Sequence, residues 1–323
     1  MASAFEMIKD IEKNFYKDIE EKIPYLYKRL LKKNFPSIEG YLNYSDLQTL
    51  IGINCIYPLQ VLETDKSAVH AFYLSWYWLQ HHCPVYWVSE ELLESVINTK
   101  LPKDLDIQDI RWPMHSFVLM LPLNKIKTPD SGDIGFIIVG HRNSGSQIFV
   151  PTEVNVGITE NEKEIWGWYT IGLKNLHAFT GSYHMNTPIS EIIDSDNDDI
   201  FVSVFLDKFT EDDKKFSTQL NSVIFKLLLA LASKPALTTE GSFTKRAKMT
   251  FCGKKQKINL YSHNWIGENY RVAGRPVNGT HLSPELHWRK GHFRLQRHGK
   301  LFSKIKSIWI EPVLIGAANV EFK

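Results

Sequence analysis

The 323-residue sequence predicts an α+β protein, and three observations carry that reading. Apolar residues recur at helical spacing near the start. The middle of the chain switches to short β-branched and aromatic runs separated by turn residues. A single long, apolar-faced helix then precedes a basic tail with strand-like segments. The expected architecture is therefore N-terminal helices, a central mainly antiparallel sheet, a long helix near 210–234 and a basic C-terminal β-containing segment. Composition divides the chain into an α+β body over 1–237 and the basic segment over 238–323.

Residues 2–22 read as an amphipathic helix because Phe5, Ile8, Ile11, Phe15 and Ile19 fall three or four apart, with charged residues between them. Pro24 suits the first turn of a second helix over 25–33. Such a pair packs on the body or enters a partner's groove, and packing is the simpler role. Ser45-Asp46-Leu47-Gln48 opens a further helix. The stretch 69–82 holds Phe72, Tyr73, Leu74, Trp76, Tyr77, Trp78 and Leu79, a density that fits a buried helix better than a base-stacking platform. His81 and His82 close it, where imidazolium suits the helix dipole.

A strand over 85–88 leads to Ser89 as N-cap of a helix over 90–98. Runs at 116–121, 134–139, 147–150 and 164–171 predict strands, with turn chemistry at 129–133 and 141–146 between them. Asp194, Asp196 and Asp198 start like a calcium loop. The register puts Asp199 where glycine is needed and Phe205 where glutamate is needed, so 191–199 reads as an exposed acidic loop. Thr210 caps the long helix, with Glu211, Asp212 and Asp213 in its first turn. Phe216, Leu220, Val223, Leu227 and Leu231 form one apolar face, and Lys234-Pro235 ends the helix. Residues 238–242 read as a linker.

At 43% hydrophobic and 23% charged, the chain has material for a substantial core and is not of disordered composition. Its three cysteines, Cys55, Cys83 and Cys252, form neither a disulfide framework nor a CxxC pair, which fits a reducing interior. The start lacks the basic and apolar regions of a signal peptide. The longest apolar run, 223–232, is broken by Lys226 and is too short to cross a bilayer. A cytoplasmic protein with no membrane partner is expected. The net charge of +2 hides a segregation: 234–323 holds 17 Lys+Arg against 5 Asp+Glu (+12), and the preceding residues hold 21 against 31 (−10). Such a tail attracts phosphate backbones or acidic protein surfaces, or folds back on the acidic body.

No P-loop, GxSxG, GxGxxG or HExxH pattern occurs. His263, His281, His287, His292 and His298 cluster in sequence, but their spacings with Cys252 match no zinc pair, so no metal and no cofactor are expected. Imidazoles can also cleave RNA by acid–base chemistry, which makes a histidine-dependent ribonuclease using His287, His292 or His298 the enzymatic alternative. No carboxylate or lysine partner motif accompanies them. Recognition is the favoured reading. Arg289, Lys290, Arg294, Arg297 and Lys300 suit phosphates, and His287, Trp288, His292 and Phe293 add polar and stacking contacts. The competing structural reading packs Trp288, Phe293, Ile308 and Trp309 into a hairpin with the charges outward. Both hold at once if they occupy opposite faces of a strand.

The run His287-Trp288-Arg289-Lys290-Gly291-His292-Phe293, with Trp309-Ile310-Glu311-Pro312-Val313-Leu314-Ile315-Gly316, resembles the closing signature of a phage and plasmid family that includes a type V-A anti-CRISPR protein. The resemblance covers about the last 40 residues. It implies a mobile-element-encoded inhibitor that lowers production of a type V effector nuclease, recognising its nascent polypeptide and causing loss of its messenger. The implied partners are a protein target, such as a CRISPR effector or its emerging chain, and RNA or the ribosome. A nucleic-acid-binding accessory protein without a protein target is the remaining alternative.

Overall fold

A computed structural model describes residues 17, 20–21, 32–56, 66–81, 83–102, 105, 116–142, 148–149, 155–156, 165–185, 187–193, 201–202, 210–251, 254–275 and 287–315. The helix expected over 2–22 and most of that over 25–33 lie outside these residues. The elements run β1 (Lys33–Asn34), α1 (Tyr44–Ile56), α2 (Lys66–His81), β2 (Val85–Val88), α3 (Glu90–Ile97), β3 (Thr99–Lys100), β4 (Ser116–Met120) and β5 (Phe136–Arg142). Next come β6 (Ile148–Phe149), β7 (Asn155–Val156), β8 (Ile165–Ile171), β9 (Ala178–His184), α4 (Ile189–Ile193), β10 (Phe201–Val202) and α5 (Glu211–Ser233). The remainder is strand: β11 (Thr238–Thr239), β12 (Phe243–Phe251), β13 (Lys254–Tyr261), β14 (Asn264–Ile266), β15 (Ala273–Arg275), β16 (His287–Arg289), β17 (Gly291–His298), β18 (Lys304–Ile310) and β19 (Val313–Ile315).

The fold is α+β, built on an eight-stranded sheet of order β10-β9-β8-β5-β4-β2-β14-β11. Pairing is antiparallel from β4 through β10 and between β14 and β11, and parallel where β2 meets β4 and β14. Helices cover both faces. Val85, Trp87, Val118, Met120, Phe136, Ile138 and Tyr169 point to the side holding α1 and α2. Their neighbours Tyr86, Val88, Phe117, Leu119, Ile137, Val139 and Trp168 point to the side holding α3, α4 and α5. Burial on both faces explains why these strands read as continuous apolar runs rather than as alternating ones.

The long helix forms as its sequence predicts. Thr210 accepts a hydrogen bond from the Asp213 amide, and the Asp213 carboxylate accepts one from the Thr210 amide, closing a capping box. At 23 residues α5 is long and apolar enough to span a bilayer, although its longest unbroken apolar run is not. Its apolar side chains are buried against the sheet instead. Lys226, the charge within that run, donates to the Ile97 carbonyl at the end of α3 (3.1 Å). Such a contact satisfies a carbonyl that the helix itself leaves without a partner. Burial, and then the Lys290 charge, push the Lys226 pKa down to about 8.

Several elements differ from expectation. Lys33 lies on β1 rather than at a helix end. The strand expected over 134–139 runs on through His141 and Arg142, which the sequence assigns to a turn. Strand β9 is a finding, hidden in sequence by its small residues. Its Gly181 is required because an added Cβ would lie 2.7 Å from the Trp168 ring nitrogen. Glu191 belongs to α4, where Ile189 and Ile192 are buried, while the acidic residues 194–199 lie outside the described part. The expected linker over 238–242 begins with β11, which pairs with β14. Strand pairing crosses the 237/238 composition boundary, joining β14 to β2, β13 to β1 and β17 to β3.

His263 ties the chain after β1 to the start of β14. Its Nε2–H donates to the Pro36 carbonyl (2.8 Å), and its ring meets Trp87 edge-on at 4.4 Å. Burial holds its pKa below the usual imidazole value, outweighing the carbonyl contact and Glu268. The unfolded chain therefore binds this proton more readily than the folded one. The stability this provides is present above about pH 6.5 and is lost as pH falls through the folded pKa. The urea midpoint should fall between pH 7.5 and 5.5, and less steeply in His263→Gln. Equal slopes would show that His263 does not titrate with folding.

Candidate nucleic-acid interface

Many of the basic residues of the tail fall on two hairpins. In the first, β17 pairs with β18 in antiparallel register: His292 opposite Ile310, Phe293 opposite Trp309, Arg294 opposite Ile308, and His298 opposite Lys304. Directly opposed residues share a face. One face therefore holds Phe293 and Trp309, and the other holds His292, Arg294, Gln296 and His298 with Lys304, Lys306, Ile308 and Ile310.

The inward face is core. Phe293 is 5% exposed and Trp309 4%. Trp309 stacks on Phe293 (6.1 Å) and on Tyr270 (5.7 Å), and its indole N–H donates to Thr99 Oγ1 (3.1 Å). Phe293 thus presents no ring face to a base, which corrects the stacking role expected of it. Trp288 is half-buried opposite the buried Leu314. Gly291 is required by close packing, since a Cβ there would sit 2.6 Å from the Ile310 carbonyl oxygen and 2.7 Å from the Pro312 nitrogen. Lys234, at the end of α5, pairs with Glu311 and lies 5.7 Å over the Trp309 ring. Much of the closing signature therefore anchors this hairpin to α5.

The outward face is basic and open to solvent. His292, Arg294 and His298 are exposed in alternation along β17, and Lys304 and Lys306 are exposed on β18. Arg297 is exposed beyond the end of the core-facing row, and Lys300 is exposed in the one-turn helix at the hairpin tip. His287 and Arg289 are exposed on β16, which belongs to another sheet with β19 and β15, and exposed Lys290 joins β16 to β17. His292 and His298 lie six residues apart on one strand, roughly 20 Å at strand rise, too far to act as an acid–base pair. Among the described residues, no three His, Cys, Asp or Glu side chains gather as a metal site.

The sequence reading missed Lys304 and Lys306, although Lys-Ile-Lys-Ser-Ile-Trp-Ile alternates with the period of a strand. It also missed the second unit, the β12–β13 hairpin. Within 241–267 there are six Lys+Arg and no Asp+Glu. Arg246-Ala247-Lys248 and Lys255-Gln256-Lys257 carry the same two-residue period.

A family model described as AcrVA2-like, the anti-CRISPR type V subtype A2 family, matches residues 86–317. The chain belongs to that family. The match extends well beyond the closing signature, taking in the sheet from β2 onward, α5 and both basic hairpins. No curated protein and no solved structure matches the chain. Membership in the AcrVA2-like family points to an anti-CRISPR protein and implies a CRISPR-related protein partner.

Proposed function

We propose that the protein is a mobile-element-encoded, non-enzymatic inhibitor that acts in the cytoplasm to lower expression of a type V CRISPR effector. In this reading it binds the effector's polypeptide as it emerges, while the outward face of β17–β18 engages the messenger or ribosomal RNA. The observation that carries the RNA part is the way that hairpin divides its aromatic and basic residues. Phe293 and Trp309 are spent on the core, while Arg294, Lys304 and Lys306 face solvent without serving it. Phosphate contacts of this kind need exposed, unneutralised cations on a rigid support.

The test is recovery of the tagged protein from cells translating a type V effector, with and without ribonuclease. Wild type should bring down the effector's nascent chain and its messenger. Arg294→Glu/Lys304→Glu/Lys306→Glu should lose the RNA while remaining folded. For purified protein, the slope of log affinity against log salt should fall by about 2, at about 0.7 per single-strand phosphate contact. His292→Ala and His298→Ala should leave inhibition intact. Loss of inhibition in either histidine variant would favour the ribonuclease alternative, and effector capture unaffected by ribonuclease or charge reversal would reduce the protein to a polypeptide binder.

A further inference from the structure

The β12–β13 hairpin has a cationic face of its own. Arg246 lies opposite Asn259 and Lys248 directly opposite Lys257, with Lys255 two residues nearer the tip on the same face. Arg246, Lys248, Lys255 and Lys257 are all exposed, and among the described residues none of them forms an ion pair. The other face includes Ala247 and Ile258, which is 3% exposed. Directly opposed like charges destabilise a strand pair, so the Lys248–Lys257 juxtaposition brings the fold no gain. An anion held between the two ammonium groups would remove that repulsion. Along each strand the cations recur at roughly 6.7 Å, two residues of strand rise, close to the spacing of consecutive phosphates in a nucleic-acid chain.

The base of the same face is aromatic. A register shift between Phe243 and Lys245 brings Phe243 opposite Tyr261, in phase with Arg246 and Lys248. Phe243 is 51% exposed and meets Tyr261 in a T-shaped contact at 5.8 Å, so about half of its side chain is open to solvent. Lys33 sits 5.1 Å over Tyr261 from the paired strand β1. A row of cations ending on a buttressed, open aromatic ring is the arrangement that holds single-stranded nucleic acid, whose bases are free to stack. A duplex would offer its phosphates but no base to Phe243.

We propose that the Arg246, Lys248, Lys255 and Lys257 face of β12–β13, with Phe243 at its base, is a binding surface for single-stranded nucleic acid. Backbone phosphates follow the cations and one base stacks on Phe243. This surface is separate from the outward face of β17–β18, and the inference stands on its own observations whether or not the effector's messenger is the natural ligand.

The experiment is fluorescence anisotropy of the full chain with a mixed-sequence oligoribonucleotide, the matching single-stranded DNA, and both duplexes. Arg246→Gln/Lys248→Gln/Lys255→Gln/Lys257→Gln should weaken single-strand binding at least about tenfold and cut the salt slope by about 3. Phe243→Ala should cost about tenfold on single strands and nothing on duplexes. Lys248→Gln/Lys257→Gln guards against misfolding: it relieves repulsion, so its melting temperature should not fall while its affinity does. Equal affinity for RNA and DNA, or a preference for RNA through its 2′-hydroxyls, both agree with the proposal. Duplex binding as tight as single-strand binding and indifferent to Phe243, or binding lost only in the β17–β18 triple variant, overturns it.

Discussion

Trp309→Ala is expected to lower the unfolding free energy by about 3–5 kcal/mol, the range for truncating a buried tryptophan. The side chain is 4% exposed and sits where three parts of the chain meet. Tyr270 and Phe293 stack on it, Thr99 accepts its N–H, and Lys234 lies over the ring. Alanine leaves a void between α5 and β18 and removes the donor to Thr99 at once. Trp309→Phe keeps most of the ring and loses the hydrogen bond, so it should cost clearly less. Urea denaturation of the three proteins orders them. The same substitution should also weaken the RNA binding proposed for the outward face of β17–β18, because that face is held in place from behind. A Trp309→Ala unfolding free energy within about 0.5 kcal/mol of wild type would mean the hairpin is not packed on the core as described.

How much of this was legible depended on whether a residue's neighbours lie close in sequence. Thr210 and Asp213 cap α5 across three residues, and Ser89 caps α3 in the same local way, so both helix starts could be read directly. The short β-branched and aromatic runs of β4, β5 and β8 announced strands, though not which face each residue takes, because both faces are covered. Phe293 was ambiguous for a different reason. An aromatic residue beside arginines looks the same in sequence whether it stacks on a base or on a tryptophan sixteen positions away. Only the β17–β18 register decides it. The β12–β13 face was hidden by a similar gap: Lys248 and Lys257 become one feature only once the hairpin turns them toward each other, and the shift at Phe243 brings the ring into phase. The parallel insertion of β14 beside β2 joins residues almost 180 positions apart, and no local signal marks it.

Asn221→Leu is expected to destabilise the protein by about 2–4 kcal/mol, even though it replaces a polar core residue with an apolar one of similar size and better helix propensity. Asn221 is fully buried on α5. Its side-chain carbonyl accepts the Trp168 N–H at 2.6 Å, and its amide donates to the Tyr183 hydroxyl at 2.5 Å. Trp168 and Tyr183 sit on adjacent strands, β8 and β9, so this one amide fixes the long helix to two neighbouring strands of the sheet. Burial raises the Tyr183 pKa, keeping the hydroxyl protonated at neutral pH and in need of polar company. Leucine removes the acceptor of the indole N–H and the donor to that hydroxyl, and removing one partner from a buried polar group costs more than never having built the pair. Tyr183→Phe in the Asn221→Leu background should therefore recover part of the loss, with a coupling of about 1–2 kcal/mol in the double-mutant cycle. The outcome also separates two accounts of α5. If apolar burial alone docks this helix, Asn221→Leu will be neutral or stabilising. If the amide sets its register, the variant will lose stability and its near-ultraviolet circular dichroism from Trp168 will change, because the hydrogen bond that fixes the helix against that indole is gone.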